Sequence, residues 1–240
     1  MEELAQKLVS WIQEKVKESG CRGVVFGLSG GIDSATVGAL CRRALPEGCL
    51  GLILPCYSHP RDEEDARRVA EVFGIPYKVI VLDRVYDALV EALTGRASSA
   101  GERSLALANI KPRLRMVALY YWANELNYLV VGTGNRSELA VGYFTKYGDG
   151  GVDILPLGNL VKTQVKELAR YLGVPQDIID KPPSAGLWEG QTDEEEMGLT
   201  YAELDRYLLT GEASPEVAKK IKALAAKSEH KKRLPAVPPF

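Results

Sequence analysis

Histidine is almost missing from this chain: His59 and His230 are the only two in 240 residues. Cysteine is sparse as well, at Cys21, Cys41, Cys49 and Cys56, and no pair forms C-x-x-C. Structural zinc needs four closely spaced thiolate or imidazole ligands, so a zinc module is excluded. The cysteines read as small core residues of a reduced protein. Excess charge is also lacking. Thirty Lys and Arg face 32 Asp and Glu, a formal net charge of -2. A surface dominated by nucleic-acid binding is therefore not expected. No apolar run approaches the ~18 residues of a membrane span. Met1-Glu2-Glu3 does not start a secretory signal, which needs a basic region before an apolar stretch. These absences together predict a cytoplasmic protein with neither membrane nor nucleic acid as partner.

What is present suits one large core. Hydrophobic residues make up 46% and charged residues 26%, ordinary for a globular α/β chain of this length. Leu4, Leu8, Trp11, Ile12 and Val16 recur at helical spacing over 3–19. Val24–Leu28, Leu50–Leu54, Tyr77–Leu82 and Tyr128–Gly132 are short apolar runs of strand length. Helices are predicted between them: after Ser34, over Arg61–Phe73 behind Pro60, near 83–94, and after Pro112. Further helices are expected over Thr163–Leu172, near 200–210 and near 215–228, with 94–101 and 142–160 as glycine-rich loops. Alternating strands and helices specify an open parallel sheet with helices on both faces, a Rossmann-like α/β fold. No repeat or linker divides the chain, so 1–240 reads as a single domain with an N-terminal helix and a C-terminal helical tail.

Phe26-Gly27-Leu28-Ser29-Gly30-Gly31-Ile32-Asp33-Ser34 organises the rest. It runs from the end of the first strand to the start of a helix. Adjacent glycines allow a ligand to approach the backbone. Free N–H groups at a helix start attract an anion. Asp33 would repel a phosphate unless a divalent cation lay between them. A Walker A loop requires Lys-Ser/Thr after its second glycine, and a dinucleotide fingerprint requires G-x-G-x-x-G; neither is here. A second loop, Gly132-Thr133-Gly134-Asn135-Arg136-Ser137-Glu138, follows the fourth strand and should lie on the same sheet edge.

The S-G-G-x-D-S pattern resembles the pyrophosphate loop of the N-type ATP pyrophosphatases, of the adenine nucleotide alpha hydrolase-like fold. Within that superfamily the chain closely resembles the ammonia-dependent NAD synthetases. The likeness covers Asn109–Met116, Gly132–Glu138, Gly142–Asp153, Leu155–Thr163, Lys181–Trp188, Gly190–Glu194 and Ser228–Lys231, from about residue 20 to 235. It implies ATP- and magnesium-dependent amidation of nicotinic acid adenine dinucleotide (deamido-NAD) by ammonia. The products are NAD, AMP and pyrophosphate, formed through an acyl-adenylate. By resemblance, Gly27, Leu28, Ser29, Gly30, Gly31, Ile32, Asp33, Ser34, Thr133, Lys162 and Ser184 are ATP contacts. Asp33 and Glu138 are the magnesium ligands, and Asp33 and Lys162 are catalytic. Arg113, Lys146, Asp153, His230 and Lys231 contact deamido-NAD.

Three further expectations follow. Homodimers are the rule in the resembled family, and Met116, Tyr120, Tyr121 and Trp122 put bulk on more than one face of the helix after Pro112. A chain of 240 residues with no cysteine–histidine pairing has no room for a glutaminase beside the synthetase, so free ammonia or a partner chain supplies the nitrogen. Pro182–Met197 is aperiodic and hinged by Pro182, Pro183, Gly186 and Gly190, so it reads as a mobile lid with few buried contacts.

Overall fold

Alternation along the first two strands divides the core before any helix is placed. In the computed structural model, β1 (Gly23–Gly27) lies between β2 (Cys49–Ile53) and β4 (Tyr128–Val131), and β3 (Tyr77–Val79) borders β2. All pairings are parallel, with Val25 beside Leu50 and Val130. Val24, Phe26 and Leu28 point to one core; Val25, Leu50 and Leu52 point to the other. Strands buried on both faces need continuous apolar runs, which is what the sequence supplies. The structure describes residues 1–97, 104–184, 186, 188 and 190–240.

Helices α1 (Glu2–Ser19), α2 (Ile32–Ala44) and α3 (Pro60–Phe73) cover the first face. They share it with α8 (Lys162–Leu172) and α9 (Gln176–Asp180). The second face takes α4 (Asp83–Thr94), the short α5 (Leu105–Ala108) and α6 (Ile110–Leu126). A third, smaller core joins α7 (Arg136–Val141), α10 (Asp193–Met197), α11 (Tyr201–Thr210) and α12 (Pro215–Ser228). Cys41 and Cys49 sit in the first core and Cys56 in the second, as expected for small apolar side chains. Among the described residues no helix is long and apolar enough to cross a membrane.

Strand order β3-β2-β1-β4 places a switch point between β1 and β4. From β1 the chain winds outward one way, then returns to the other side of β1. The loops leaving these two strands therefore open a crevice at the carboxyl edge, where open α/β sheets take ligands. Several local expectations differ from the structure. The third strand ends at Val79 rather than Leu82, although Ile80 and Leu82 still donate to the carbonyls of Ile53 and Pro55. Helix α2 begins at Ile32, so Asp33 and Ser34 lie in its first turn rather than in the preceding loop. Arg136–Glu138 is likewise helical, because Asn135 caps α7.

The segment expected to be a lid departs most. Thr192 caps α10 through the Glu195 N–H, and Gln191, Asp193 and Met197 are buried. Its second half is thus docked, because the acidic run Asp193–Glu196 fits the positive end of a helix and its partners sit on the smaller core. Ala185, Leu187 and Glu189, in the first half, lie outside the described residues, as does much of the expected 94–101 loop.

Among the described residues Phe26 is the largest fully buried side chain, and it belongs to the first core. Phe26→Ala should cost about 3–5 kcal/mol of unfolding free energy, measured by urea denaturation followed by circular dichroism.

Candidate active site

Two hydroxyls shape the first loop. The Ser34 Oγ accepts the Ser29 N–H at 3.2 Å and donates to the Gly31 carbonyl at 2.9 Å. Ser29 and Ser34 hydroxyls lie 3.0 Å apart, and the Ser29 Oγ accepts the Gly31 N–H. The turn is closed on itself, leaving the first N–H groups of α2 without intrahelical acceptors. Gly30 has φ 77, and a Cβ there would fall 2.4 Å from the Asp62 carbonyl oxygen. Only glycine lets the loop lie this close to α3.

Asp33 projects from that first turn toward two residues far along the chain. The Lys162 ammonium donates to the Asp33 Oδ2 at 2.5 Å and to the Glu138 Oε1 at 3.3 Å. Its side chain is 3% exposed. Asn135 sets both carboxylates. Its Nδ2 donates to the Asp33 Oδ1 at 3.0 Å, its backbone N–H donates to the Glu138 Oε2, and its Oδ1 accepts the Glu138 N–H. That reciprocal pattern is a capping box. Lys162 in turn opens α8. Asp205, on α11, accepts from the Thr163 N–H at 2.7 Å and from the Ser137 hydroxyl at 2.5 Å, and that hydroxyl accepts the Lys162 N–H. A buried carboxylate at a helix N-terminus is well placed, since it satisfies orphan donors and meets the positive end of the dipole.

Two carboxylates share one ammonium. Burial lifts the Glu138 carboxyl to about 7, against the pull of Lys162 and with the repulsion of Asp33. Burial alone would lower the Lys162 ammonium, but Asp33 and Glu138 more than offset it and hold it above the ordinary lysine value. A third carboxylate stands behind them. Asp193 is buried, and its Oδ2 accepts the Tyr201 hydroxyl at 2.8 Å. The same hydroxyl lies 3.4 Å from the Glu138 Oε1. The Lys162 ammonium is 5.0 Å from the centre of the Tyr201 ring. The site is an anion-ready loop facing a cluster in which carboxyl groups outnumber cations, a donor set that could hold a metal-bridged phosphate.

A second group forms beyond Gly142. This glycine has φ 69, and a Cβ there would overlap Ser228, so its absence admits the end of α12. The 3-10 turn Glu229–Lys231 then reaches back. The Lys231 ammonium donates to the carbonyls of Gly142 and Phe144, both at 2.8 Å. The Lys146 ammonium donates to the His230 carbonyl at 2.8 Å, and Arg113 donates to the Lys146 carbonyl at 3.3 Å. Four of the five residues assigned to deamido-NAD by resemblance are thus brought together. Asp153 bonds elsewhere, accepting the Val130 N–H at 2.7 Å and the Tyr120 hydroxyl at 2.9 Å. Thr133 is the second residue after β4, at the crevice. Ser184 is exposed and accepts the Gly186 N–H; its neighbour Pro183 accepts the Asp193 N–H at 3.0 Å.

Asn135, Asp193, Tyr201 and Asp205 were not picked out from the sequence. Asn135 carried a signal, since Asn-x-x-Glu before an apolar pair is a capping-box pattern. The other three had none, because their partners lie in other elements. Asp205→Asn should destabilise the fold by about 1–3 kcal/mol in thermal unfolding, because at least one buried donor loses its acceptor.

The family model described as NAD synthase matches residues 4–235. The NH(3)-dependent NAD(+) synthetase of Carboxydothermus hydrogenoformans is 60% identical over 237 residues, 99% of this chain and 97% of that protein. The solved NMN synthetase of Francisella tularensis matches with a TM-score of 0.94 at 41% identity, covering 100% of this chain and 98% of that one. The NH3-dependent NAD synthetase of Campylobacter jejuni, solved with nitrate ion, gives a TM-score of 0.80 at 34% identity, covering 99% of this chain and 98% of that one. With its crevice formed by the loops after β1 and β4, this chain belongs to the NAD synthase family.

Proposed function

We propose that this chain amidates the nicotinic acid carboxyl of deamido-NAD with ammonia, spending ATP to AMP and pyrophosphate. The observation that carries the reading is the Asp33–Lys162–Glu138 cluster beside the glycine loop. The substrate carboxylate attacks the α-phosphorus, forming an acyl-adenylate, and ammonia then displaces AMP. Such a reaction is mostly positioning and charge neutralisation. The Ser29–Ser34 loop and the first N–H groups of α2 hold the leaving pyrophosphate. Lys162 gives up its carboxylate contacts and carries its charge to the phosphates. Thr133 and Ser184 complete the ATP contacts, and Arg113, Lys146, His230 and Lys231 take the dinucleotide.

Magnesium belongs to this reading. Among the described residues no three His, Cys, Asp or Glu side chains are arranged to hold a metal on protein ligands alone. Magnesium does not require that, since it commonly takes one or two carboxylates plus substrate phosphates. Asp33 and Glu138 fit: both are hard oxygen donors, both already reach one cation, and Asn135 orients both. When bound, the ion would neutralise charge developing on the phosphates.

A second acceptor is favoured by one finding, the match at TM-score 0.94 to a protein named NMN synthetase. The same chemistry on nicotinic acid mononucleotide would need no contact to an adenylate half. Pyrophosphate release with ATP, magnesium and ammonium decides between them, by comparing turnover on the dinucleotide and on the mononucleotide. Release with neither acid would sink both readings. Asp33→Asn and Glu138→Gln should each fold normally and lose pyrophosphate release by about a hundredfold or more, because each removes an anionic ligand. Near-normal release by either at saturating magnesium removes that residue from the metal site.

The reading includes one synthetase domain over 1–240, a cytoplasmic setting that suits four free cysteines, and a homodimer. Support for the dimer is an apolar face on α4 and α6. Val85, Leu89 and Leu93 lie one turn apart on α4, and Val117 and Tyr121 on α6, all exposed. Tyr121, at 60% exposure, lies in the α6 stretch that carries excess bulk. Tyr121→Asp should give monomers in sedimentation velocity at micromolar concentration. An unchanged dimer would place the interface elsewhere.

A further inference from the structure

Lys181 ends α9 and immediately precedes Pro182-Pro183-Ser184. Its ammonium reaches back over more than a hundred residues to α3, donating to the Asp62 Oδ1 at 2.7 Å and the Asp65 Oδ2 at 3.0 Å. These two carboxylates are three residues apart on one helix face, so they repel each other. Asp65 also meets Arg68 at 3.5 Å, and Arg68 pairs with Asp177 of α9 at 2.5 Å. Among the described residues, Lys181 is the cation at hydrogen-bonding distance from Asp62.

The same turn of α3 forms the wall behind the glycine loop. A Cβ on Gly30 would fall 2.4 Å from the Asp62 carbonyl oxygen and 2.9 Å from the Asp65 Cβ. The backbone of Asp62 and the Cβ of Asp65 therefore pack against the loop, and these two residues carry their carboxylates on the turn behind it. Left uncompensated, they would oppose the positive field of the α2 N-terminus. Half-buried charges are screened less than surface ones: the Lys181 side chain is 28% exposed and that of Asp65 9%.

We propose that Lys181 is a positioning residue for ATP, which balances the Asp62 charge behind the pyrophosphate loop, where Asp65 also has Arg68 at 3.5 Å and Arg61 at 4.0 Å, and ties that wall to the segment carrying Ser184. The inference rests on the reading that ATP phosphates bind at the Ser29–Ser34 loop. No assigned ATP contact includes Lys181, and its ammonium is engaged by the protein, so it acts through the loop's surroundings.

The experiment is steady-state pyrophosphate release with KM measured separately for ATP and for deamido-NAD. Wild-type release, and its loss in Asp33→Asn, tests the reading of the loop. The ratio of the two KM values across Lys181 variants tests only the present inference. Lys181→Met should raise KM for ATP about tenfold, leave KM for the dinucleotide unchanged, and lose part of its effect as salt is raised. Lys181→Arg should stay near wild type. Lys181→Met combined with Asp62→Asn should recover ATP affinity, because the uncompensated charge is gone. Should Lys181→Met fail to fold, Asp62→Asn alone is decisive, since it should lower KM for ATP. An unchanged KM for ATP, a parallel rise of both KM values, no recovery in the double variant, or weaker ATP binding by Asp62→Asn would each overturn the proposal.

Discussion

One ammonium between two carboxylates is the contact on which the rest of the structure converges. Lys162, Asp33 and Glu138 come from three helices that start at one edge of the sheet. Burying such a set is costly unless every charge is paired and hydrogen-bonded. The surroundings meet that demand. Asn135 occupies the remaining oxygens of both carboxylates, Asp205 holds the start of α8, and Tyr201 separates Glu138 from Asp193. Asp33, Glu138 and Asp193 gather around one ammonium, so carboxyl groups outnumber cations in the cluster.

The sheet supplies the place and the smaller core supplies the constraint. Order β3-β2-β1-β4 opens the crevice between the loops after β1 and β4, whatever those loops contain. Many of the polar groups described above come from the helices beyond β4. Helix α11 brings Tyr201 and Asp205, α10 brings Asp193, and the end of α12 brings His230 and Lys231. These helices share an apolar core of their own, so packing at Val141, Met197 and Leu204 sets the distances among polar groups in the site. Asp193 has one buried oxygen without a hydrogen-bond partner in this state.

The local order of the chain was legible before any tertiary contact. Four apolar runs and the helices between them specify a parallel sheet, because helical and strand periods cannot be exchanged. The glycine loop was legible as a strand-to-helix turn for the same reason: glycines, a helix start and two hydroxyls lie within nine residues. Elements of four to six residues were missed, namely α5, α7, α9 and α10. Helices this short have no full period to detect, and most of their stability comes from what they pack against.

What the sequence determined by itself is therefore the sheet, the two faces, the glycine-rich turn after the first strand and the family to which the chain belongs. The tertiary structure alone decided which side chains meet there. Lys162 reaches Asp33 across 129 residues, and Lys181 reaches Asp62 across 119. Asp205 reaches Ser137 across 68. Periodicity reports only on neighbours within a turn or a strand, whereas the energy of a buried charge depends on every group packed around it, however distant along the chain.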